Sequence, residues 1–408
     1  RLQHLGVDVD MQVAMKALTH LDAYATKLYE RIEPEDRNKA HVSPTVAMLL
    51  YGRSFYKNQP TAPEHKEAVE YWTDQLAEHW LSLSSRMSQG HAAIALHRLG
   101  RLKEAKEIVA SLIERSVVDE QGMHWNDANS GWWWHQAPIE TQAMMIEVLD
   151  EVAGDLQRVE LCQAWLLRQK ETQSWETTKS TADAVYALLL RGTDKLASDE
   201  VVDIAVGQQE VPKGNVEAGT GFYQHRFSAD EITPEMGSIQ VKKTTSGIAW
   251  GGVHWQYFEN IENITPHDGT PLQIEKQLFV VRATDSGPVL RPIGDEPVRV
   301  GDELVSRLII RSDRDMEFLH LRDHRGSGTE PVNVLSQFRQ QDALGYYQST
   351  RDAAEHFFIG YLRKGTYVLE SRCRVQLRGN YQTGMASIES MYAPQYNSHS
   401  ESHALEVK

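Results

Sequence analysis

Three acids stand where acid–base chemistry is conceivable: Asp127, Glu140 and Glu176. Each lies near the predicted start of a buried helix, and Asp127 and Glu140 flank the aromatic run Trp132-Trp133-Trp134. Paired carboxylates can divide glycosidic cleavage between them at separations of about 5–10 Å, one donating a proton while the other acts as base or nucleophile. Indole faces beside them could stack on a sugar. Both features also have plainer uses. Acids in a first helical turn compensate the positive end of the helix dipole, and indoles supply apolar area for packing at helix ends. The plainer uses carry more weight, because no complete catalytic signature accompanies the acids.

Other reactive side chains are sparse. The two cysteines are too few for a disulfide framework or a structural zinc site. Cys162 shares a predicted helical stripe with Val159 and Leu166, and Cys373 alternates inward with Leu369 and Leu377. Both therefore read as buried small hydrophobes, not nucleophiles. His91 and His97 stand on one helix at a spacing unsuited to joint ligation, and no His-Glu-x-x-His occurs. Most of the 17 histidines sit singly in polar surroundings. Gly-x-Ser-x-Gly and Gly-Lys-Ser/Thr are absent, and Gly326-Ser327-Gly328-Thr329 reads as a plain turn. No metal or cofactor is expected.

The elements that would position these residues fall into two grammars. Pro138 pre-sets a helix start, and Ile139, Ala143 and Ile146 then mark one face of a helix running to Leu149. Met144, Met145, Val148 and Leu149 fill most of its remaining surface, which predicts burial nearly all round. The same design returns after Trp175, with Thr181 about 40 residues beyond Thr141, the length of a two-helix repeat. Upstream, a helix is predicted over 8–30, with Met11, Ala14, Leu18, Leu21, Ala25 and Leu28 on its inner face, and a buried segment over 43–50. Val69, Trp72, Leu76, Trp80 and Leu83 mark an amphipathic helix, 90–99 a small-residue inner helix stopped by Gly100, and Leu102 to Ile113 another amphipathic one. Leu156, Val159, Cys162 and Leu166 mark a third. Residues 8–190 are thus expected to be almost wholly helical.

After Gly192 the apolar period changes from 3.6 to 2. Strands are predicted at 202–206, 221–227, 239–242, 248–258, 274–281, 304–311, 318–322 and 367–377. Helices first and strands afterwards imply an α+β multidomain chain: an N-terminal α/α toroid of helical hairpins followed by antiparallel β-sandwich domains.

The totals agree with a water-facing protein. A formal charge of −15 argues against nucleic acid or an anionic membrane as main partner. No apolar run approaches the roughly 18 residues of a membrane span. The sequence opens at Arg1 and reads as a segment of a longer parent.

Two stretches then resemble a known family. Gly131-Trp-Trp-Trp-His-Gln-Ala-Pro-Ile-Glu-Thr-Gln-Ala143 and Ser174-Trp-Glu-Thr-Thr-Lys-Ser-Thr-Ala-Asp-Ala184 resemble the thioester-type helical domain of bacterial alpha-2-macroglobulins. Tyr346-Tyr347, Asp352, Phe357-Phe358, Leu362-Arg363-Lys364-Gly365-Thr366-Tyr367 and Met391-Tyr392-Ala393-Pro394 follow in the order of that family's last macroglobulin domain. The resemblance implies a partial helical domain over 1–195, a CUB-like β segment over 196–268 and a macroglobulin-type sandwich over 269–408. It implies an endopeptidase inhibitor that traps proteases after a bait is cut, placed in the periplasm or attached to the outer membrane. Its partners would be target proteases, met through the full-length parent, and upstream domains of that parent. The family's Cys-x-Glu-Gln thioester is absent here, since Cys162 is followed by Gln163-Ala164-Trp165. The chain's role would be structural, with no catalytic residue. The alternative is a polysaccharide lyase or glycosidase on the same architecture, with Asp127, Glu140 and Glu176 as its acids.

Overall fold

A computed structural model describes residues 10–126, 134–175, 177–189, 191, 202–214, 222–244, 249, 251–341 and 343–408. It divides into two compact units, one of residues 1–168 with 175–250 and one of 169–174 with 251–408.

The first unit is built from helices α1 (Met11–Tyr29), α2 (Pro44–Ser54), α3 (Pro63–His79), α4 (Arg86–Arg98), α5 (Leu102–Glu114), α6 (Pro138–Val148), α7 (Leu156–Thr172) and α8 (Thr178–Leu189). Local chemistry starts and stops them. The Asp10 side chain accepts from Gln12 N at 2.9 Å, Ser43 from Val46 N at 3.3 Å and Ser85 from Ser88 N at 3.1 Å, satisfying otherwise orphaned donors. Gly100, at φ +86°, ends α4 while Arg101 N donates to Leu96 O at 2.8 Å. Only a residue tolerant of positive φ closes a helix in this way.

α2 packs on α4, α4 on α6, and α6 on α8. In α4 every residue from Met87 to Leu96 is buried, and in α6 every residue from Glu140 to Val148. The approach of these two helices is set at Gly90, where an added Cβ would lie 2.6 Å from Met144 Cγ and 2.7 Å from Met145 Cε. Val69, Trp72, Leu76, Trp80 and Leu83 are all buried, as their spacing requires. The amphipathic stripes are shorter than expected at one end. Leu102 is 50% and Leu156 46% exposed, because each is the first residue of its helix and lies beyond the neighbours that cover the later turns.

Two features interrupt the helical pattern. Between α5 and α6 the chain forms a hairpin, β1 (Val117–Asp119) with β2 (Gly122–His124), where residues 8–190 were expected to be almost wholly helical. The β-branched pair Val117-Val118 favours extended backbone. Gly122 adopts φ +122°, and a Cβ there would collide with Leu161 O of α7. After α6 a π turn, Leu149–Ala153, ends at Gly154 with φ +64°.

Residues 203–242 contribute β3 (Asp203–Val206), β4 (Gln209–Glu210) and β5 (Ile239–Lys242), an antiparallel sheet in the order β4-β3-β5. Two expected strands are not formed. The described residues of 221–227 and 248–258 have no regular structure. Their aromatic, alternating composition suits a strand, but Val253, Trp255, Tyr257 and Phe258 are exposed and pair with no strand among the described residues.

The second unit is antiparallel β. Its strands are β6 (Leu272–Thr284), β7 (Gly287–Pro292), β8 (Glu303–Ser312), β9 (Met316–His324), β10 (Thr329–Pro331), β11 (Gln337–Gln341), β12 (Leu344–Thr350), β13 (Ala354–Leu362), β14 (Gly365–Val375), β15 (Gly379–Gln382), β16 (Ala386–Ser390), β17 (Asn397–His399) and β18 (Ala404–Val407). Among the described residues one sheet runs β10-β14-β8-β6-β7, a second β11-β12-β13-β9-β16-β17, and β15 pairs with β18. One core takes Leu272, Ile274, Leu308 and Leu369 from the first sheet and Leu319, Leu321, Phe357 and Ile359 from the second. Leu377, expected inward, is 60% exposed. β14 has ended at Val375, and Gln376 N and Leu377 N both turn to donate to Gly328 O. The 326–329 turn is not a plain flexible one. The Tyr381 ring lies directly against Gly328, leaving no room for a Cβ.

The chain is therefore α+β, with helices followed by several antiparallel sheets. Gly122→Ala should cost about 2–4 kcal/mol, combining backbone strain and a backbone collision. Gly100→Ala, where a Cβ would have nothing within 4 Å, should cost about 1–2 kcal/mol from left-handed strain alone. Urea unfolding of the two variants measures the difference, and equal losses would mean that the close approach at Gly122 is not a constraint.

Candidate functional site

Of the three candidate acids, Glu140 falls within the described residues; Asp127 and Glu176 lie outside them, as do Trp132 and Trp133. Glu140 stands in the first turn of α6, two residues after Pro138, and is buried. Lys179 Nζ, from the first turn of α8, lies 4.0 Å from Glu140 Oε1 and donates to Asp183 Oδ2 at 2.8 Å. One ammonium thus serves two nearly buried carboxylates, and α8 is itself capped by Thr177 Oγ1, which accepts from Ser180 N at 3.0 Å. Such an arrangement neutralises charge at helix starts. Trp134 is 42% exposed and sets its ring 5.4 Å from His135, edge to face. A shallow depression elsewhere in this unit is lined by Tyr24, Arg31, Ile32, His41 and Trp72 among others, and none of its lining residues is an acid.

The strongest electrostatic feature of the helical unit lies at the other end of α6. Glu147 accepts from Arg98 Nη2 at 3.0 Å and from the Tyr51 hydroxyl at 2.9 Å, and pairs with Arg191 Nη2 at 3.0 Å. Arg98 also grips Glu151 with two parallel bonds, Nε to Oε1 at 2.5 Å and Nη2 to Oε2 at 2.7 Å. Its guanidinium lies over the Phe55 ring at 4.1 Å. Arg191 reaches Asp150 and Glu151 at 3.4 Å each. Burial pushes the Glu151 carboxyl up, but the bonds and charges of Arg98, with Arg191, outweigh it and hold the group below its usual range. The arrangement ties α2, α4, α6, the π turn and the chain after α8 together. Its one fork-to-fork pair, Arg98 with Glu151, sets the geometry of the cluster.

The two cysteines are shifted in the same direction by the same cause. Cys162 is fully buried in the helical core, and burial pushes its thiol well up. Its backbone O accepts from Gln142 Nε2 at 3.2 Å, while the same amide donates to Met123 O at 2.7 Å. Cys373 is half-buried, and burial raises its thiol too. His91 is buried against the Tyr51 ring at 4.8 Å, and no grouping suited to a metal occurs among the described residues.

Sequence reasoning missed one polar cluster altogether. In β6 the inward positions read Leu272, Ile274, Lys276, Leu278 and Val280, so Lys276 points into the interior. Asp323 follows Leu319 and Leu321 on the inner face of β9, and Glu355 precedes Phe357 and Ile359 on that of β13. All three are buried. The signal was a charged residue continuing an apolar period-2 series, a rare event unless the charge is met by a partner.

Residues 272–395 match the model of the bacterial alpha-2-macroglobulin MG10 domain. Among solved structures, trypsin-activated alpha-2-macroglobulin from Escherichia coli is 15% identical with TM-score 0.43, over 99% of this chain and 26% of that one. Escherichia coli alpha-2-macroglobulin activated by porcine elastase is 15% identical with TM-score 0.42, over 99% and 34%. Circularly permutated Ras protein 2 of Dictyostelium discoideum is 20% identical over 312 residues, 71% of this chain and 8% of that protein. The chain thus spans a minor part of the length of each of these proteins.

Two outcomes follow from the geometry. Glu147→Gln should cost about 1.5–3 kcal/mol, since it removes one carboxylate from Arg98 and Arg191 and leaves them Glu151 and Asp150, whereas Glu140→Gln should cost about 0.3–1 kcal/mol. Because the folded Glu151 carboxyl is held low, its share of stability is full above the unfolded carboxylate range and fades as pH falls through the folded value. Urea titrations of these variants between neutral pH and pH 3 check both. Native-state thiol labelling should leave Cys162 untouched until the protein unfolds; rapid labelling would place it outside the core.

Proposed function

The chain belongs to the bacterial alpha-2-macroglobulin family through its MG10 domain, and on that premise we propose that it is the C-terminal part of an endopeptidase inhibitor that traps proteases after bait cleavage. The MG10 match over 272–395 is the observation that carries this reading. Residues 1–195 would be part of an α/α toroid, a reading supported by α2, α4, α6 and α8 packing in succession. Residues 196–268 would be a CUB-like segment. Residues 269–408 would be a macroglobulin-type sandwich, supported by a core that draws on both large sheets.

In this proposal the chain is a structural part of the trap and not an enzyme. Covalent capture is not assigned to it, because it contains no Cys-x-Glu-Gln. Its partners are target proteases, reached through the full-length parent, and upstream domains of that parent. Nucleic acid is not proposed as a partner, in keeping with the acidic balance of the chain. The parent would work in the periplasm or attached to the outer membrane. No described helix of this chain is long and apolar enough to cross a membrane. The polysaccharide lyase or glycosidase reading is not favoured. Glu140 is buried beside Lys179, an ammonium that it shares with Asp183.

The test compares the chain with its full-length parent. The parent should suppress digestion of a protein substrate by a protease able to cut its bait, while the isolated chain suppresses none. A chain that inhibits alone would overturn the division of labour proposed here. Turnover of a glycan that disappears in Glu140→Gln would replace the inhibitor with an enzyme.

A further inference from the structure

Inside the β unit, Lys276 of β6 and Asp323 of β9 meet between the two large sheets. Lys276 Nζ lies 2.8 Å from Asp323 Oδ1, with the two side chains 1% and 4% exposed. Carbonyl oxygens fix the nitrogen from the other side: His324 O at 2.5 Å, Gly384 O at 3.1 Å and Thr383 O at 3.5 Å. Ser371 Oγ donates to Asp323 Oδ2 at 2.9 Å, which fixes the carboxylate plane. Oδ1 accepts no hydrogen bond, so its contact with the ammonium is an ion pair only. The nitrogen is therefore held against one carboxyl group in a dry interior, with both partners immobilised.

A second acid stands beside the pair. Glu355 of β13 is the direct cross-strand partner of Asp323, a relation that sets Cβ atoms about 4.5–5.5 Å apart. It is 4% exposed and is held by Gln348 Nε2, which donates to Glu355 Oε2 at 2.5 Å. Burial, with the charge of Asp323 added, pushes its carboxyl up to about 7. Near neutral pH this group can therefore carry a proton or take one.

We propose that Lys276 and Asp323 join in an intramolecular amide bond, formed spontaneously in the folded domain with Glu355 as the proton carrier. The balance closes without any further reagent. The ammonium and the carboxylate together become one amide and one water. A proton first passes from Lys276 to Asp323, leaving a neutral amine facing a carboxylic acid. The neutral amine then adds to Asp323 Cγ, forming the N–C bond. Glu355 takes a proton from that nitrogen and delivers it to an oxygen on Cγ, the C–O bond breaks, and water leaves. Holding amine and carboxyl in a near-attack arrangement can supply a large effective concentration, which is what an otherwise slow condensation needs. The product would link β6 of one sheet to β9 of the other by a covalent tie. This inference does not depend on the protease-trap reading.

Intact-mass measurement of the purified, folded chain tests it. The expected mass is one water below that of the sequence, and digestion should yield a branched peptide joining the Lys276 and Asp323 segments. Asp323→Ala should restore the full sequence mass for its composition. Glu355→Gln, nearly isosteric, should fold and remain unlinked. A folded wild-type chain at full sequence mass, with Lys276 recovered as an ordinary lysine in its peptide, would overturn the proposal. Linkage in Glu355→Gln as complete as in the wild type would overturn the role given to Glu355.

Discussion

Taking a charge out of water costs several kcal/mol unless an opposite charge and well-aimed hydrogen bonds meet it, and each unit of this chain is arranged around places where that condition is met. In the helical unit Glu147 is the centre of such a place. Its partners come from α4 and from the second residue after α8, and the packing of those segments brings Arg98 and Arg191 to it. Asp22 and Arg53 join α1 to α2 at 2.9 Å, but there burial outweighs the guanidinium and pushes the Asp22 carboxyl up. In the β unit Lys276 and Asp323 hold the equivalent position between sheets. Apolar packing supplies most of the stabilisation, and these polar contacts fix which side chains must meet.

Much of this fold was legible in residue periodicity. The stripe from Val69 to Leu83, the wholly apolar stretch around Ile94 and the alternation along β6 and β14 each report which side of an element is covered. Such signals are local and need no knowledge of the partner. What escaped was partnership. Arg98 and Glu151 stand 53 residues apart, and Lys276 and Asp323 belong to different sheets, so neither pairing leaves a trace in any short window. The strands expected at 221–227 and 248–258 failed for the same reason: composition proposes a strand, but only a neighbouring edge can make one. The β1–β2 hairpin was hidden by its brevity among long helices.

The candidate site fared differently from the fold. Glu140 could be placed near a helix start from Pro138 alone, yet its charge partner Lys179 belongs to α8 and was not foreseen. Several of the residues that suggested the family are interior ones. Tyr346 and Phe357 are buried with ring centroids 5.7 Å apart, and Leu362 and Ala393 are buried as well. They identify a domain because its packing needs them, and for that reason they say little about chemistry. Chemistry has to be sought where a polar residue breaks an apolar series, as Lys276 does.

The contact at Gly90 carries a consequence for how such sequences can diverge. Because a Cβ at 90 would overlap Met144 and Met145, side-chain volume there is shared between two helices and not owned by either. A lineage that acquires a larger residue at 90 must move or shorten the side chains at 144 and 145. Positions 90, 144 and 145 should therefore drift as a single unit in descendants of this sequence, their sizes anticorrelated, while the exposed flanks of the same helices change freely.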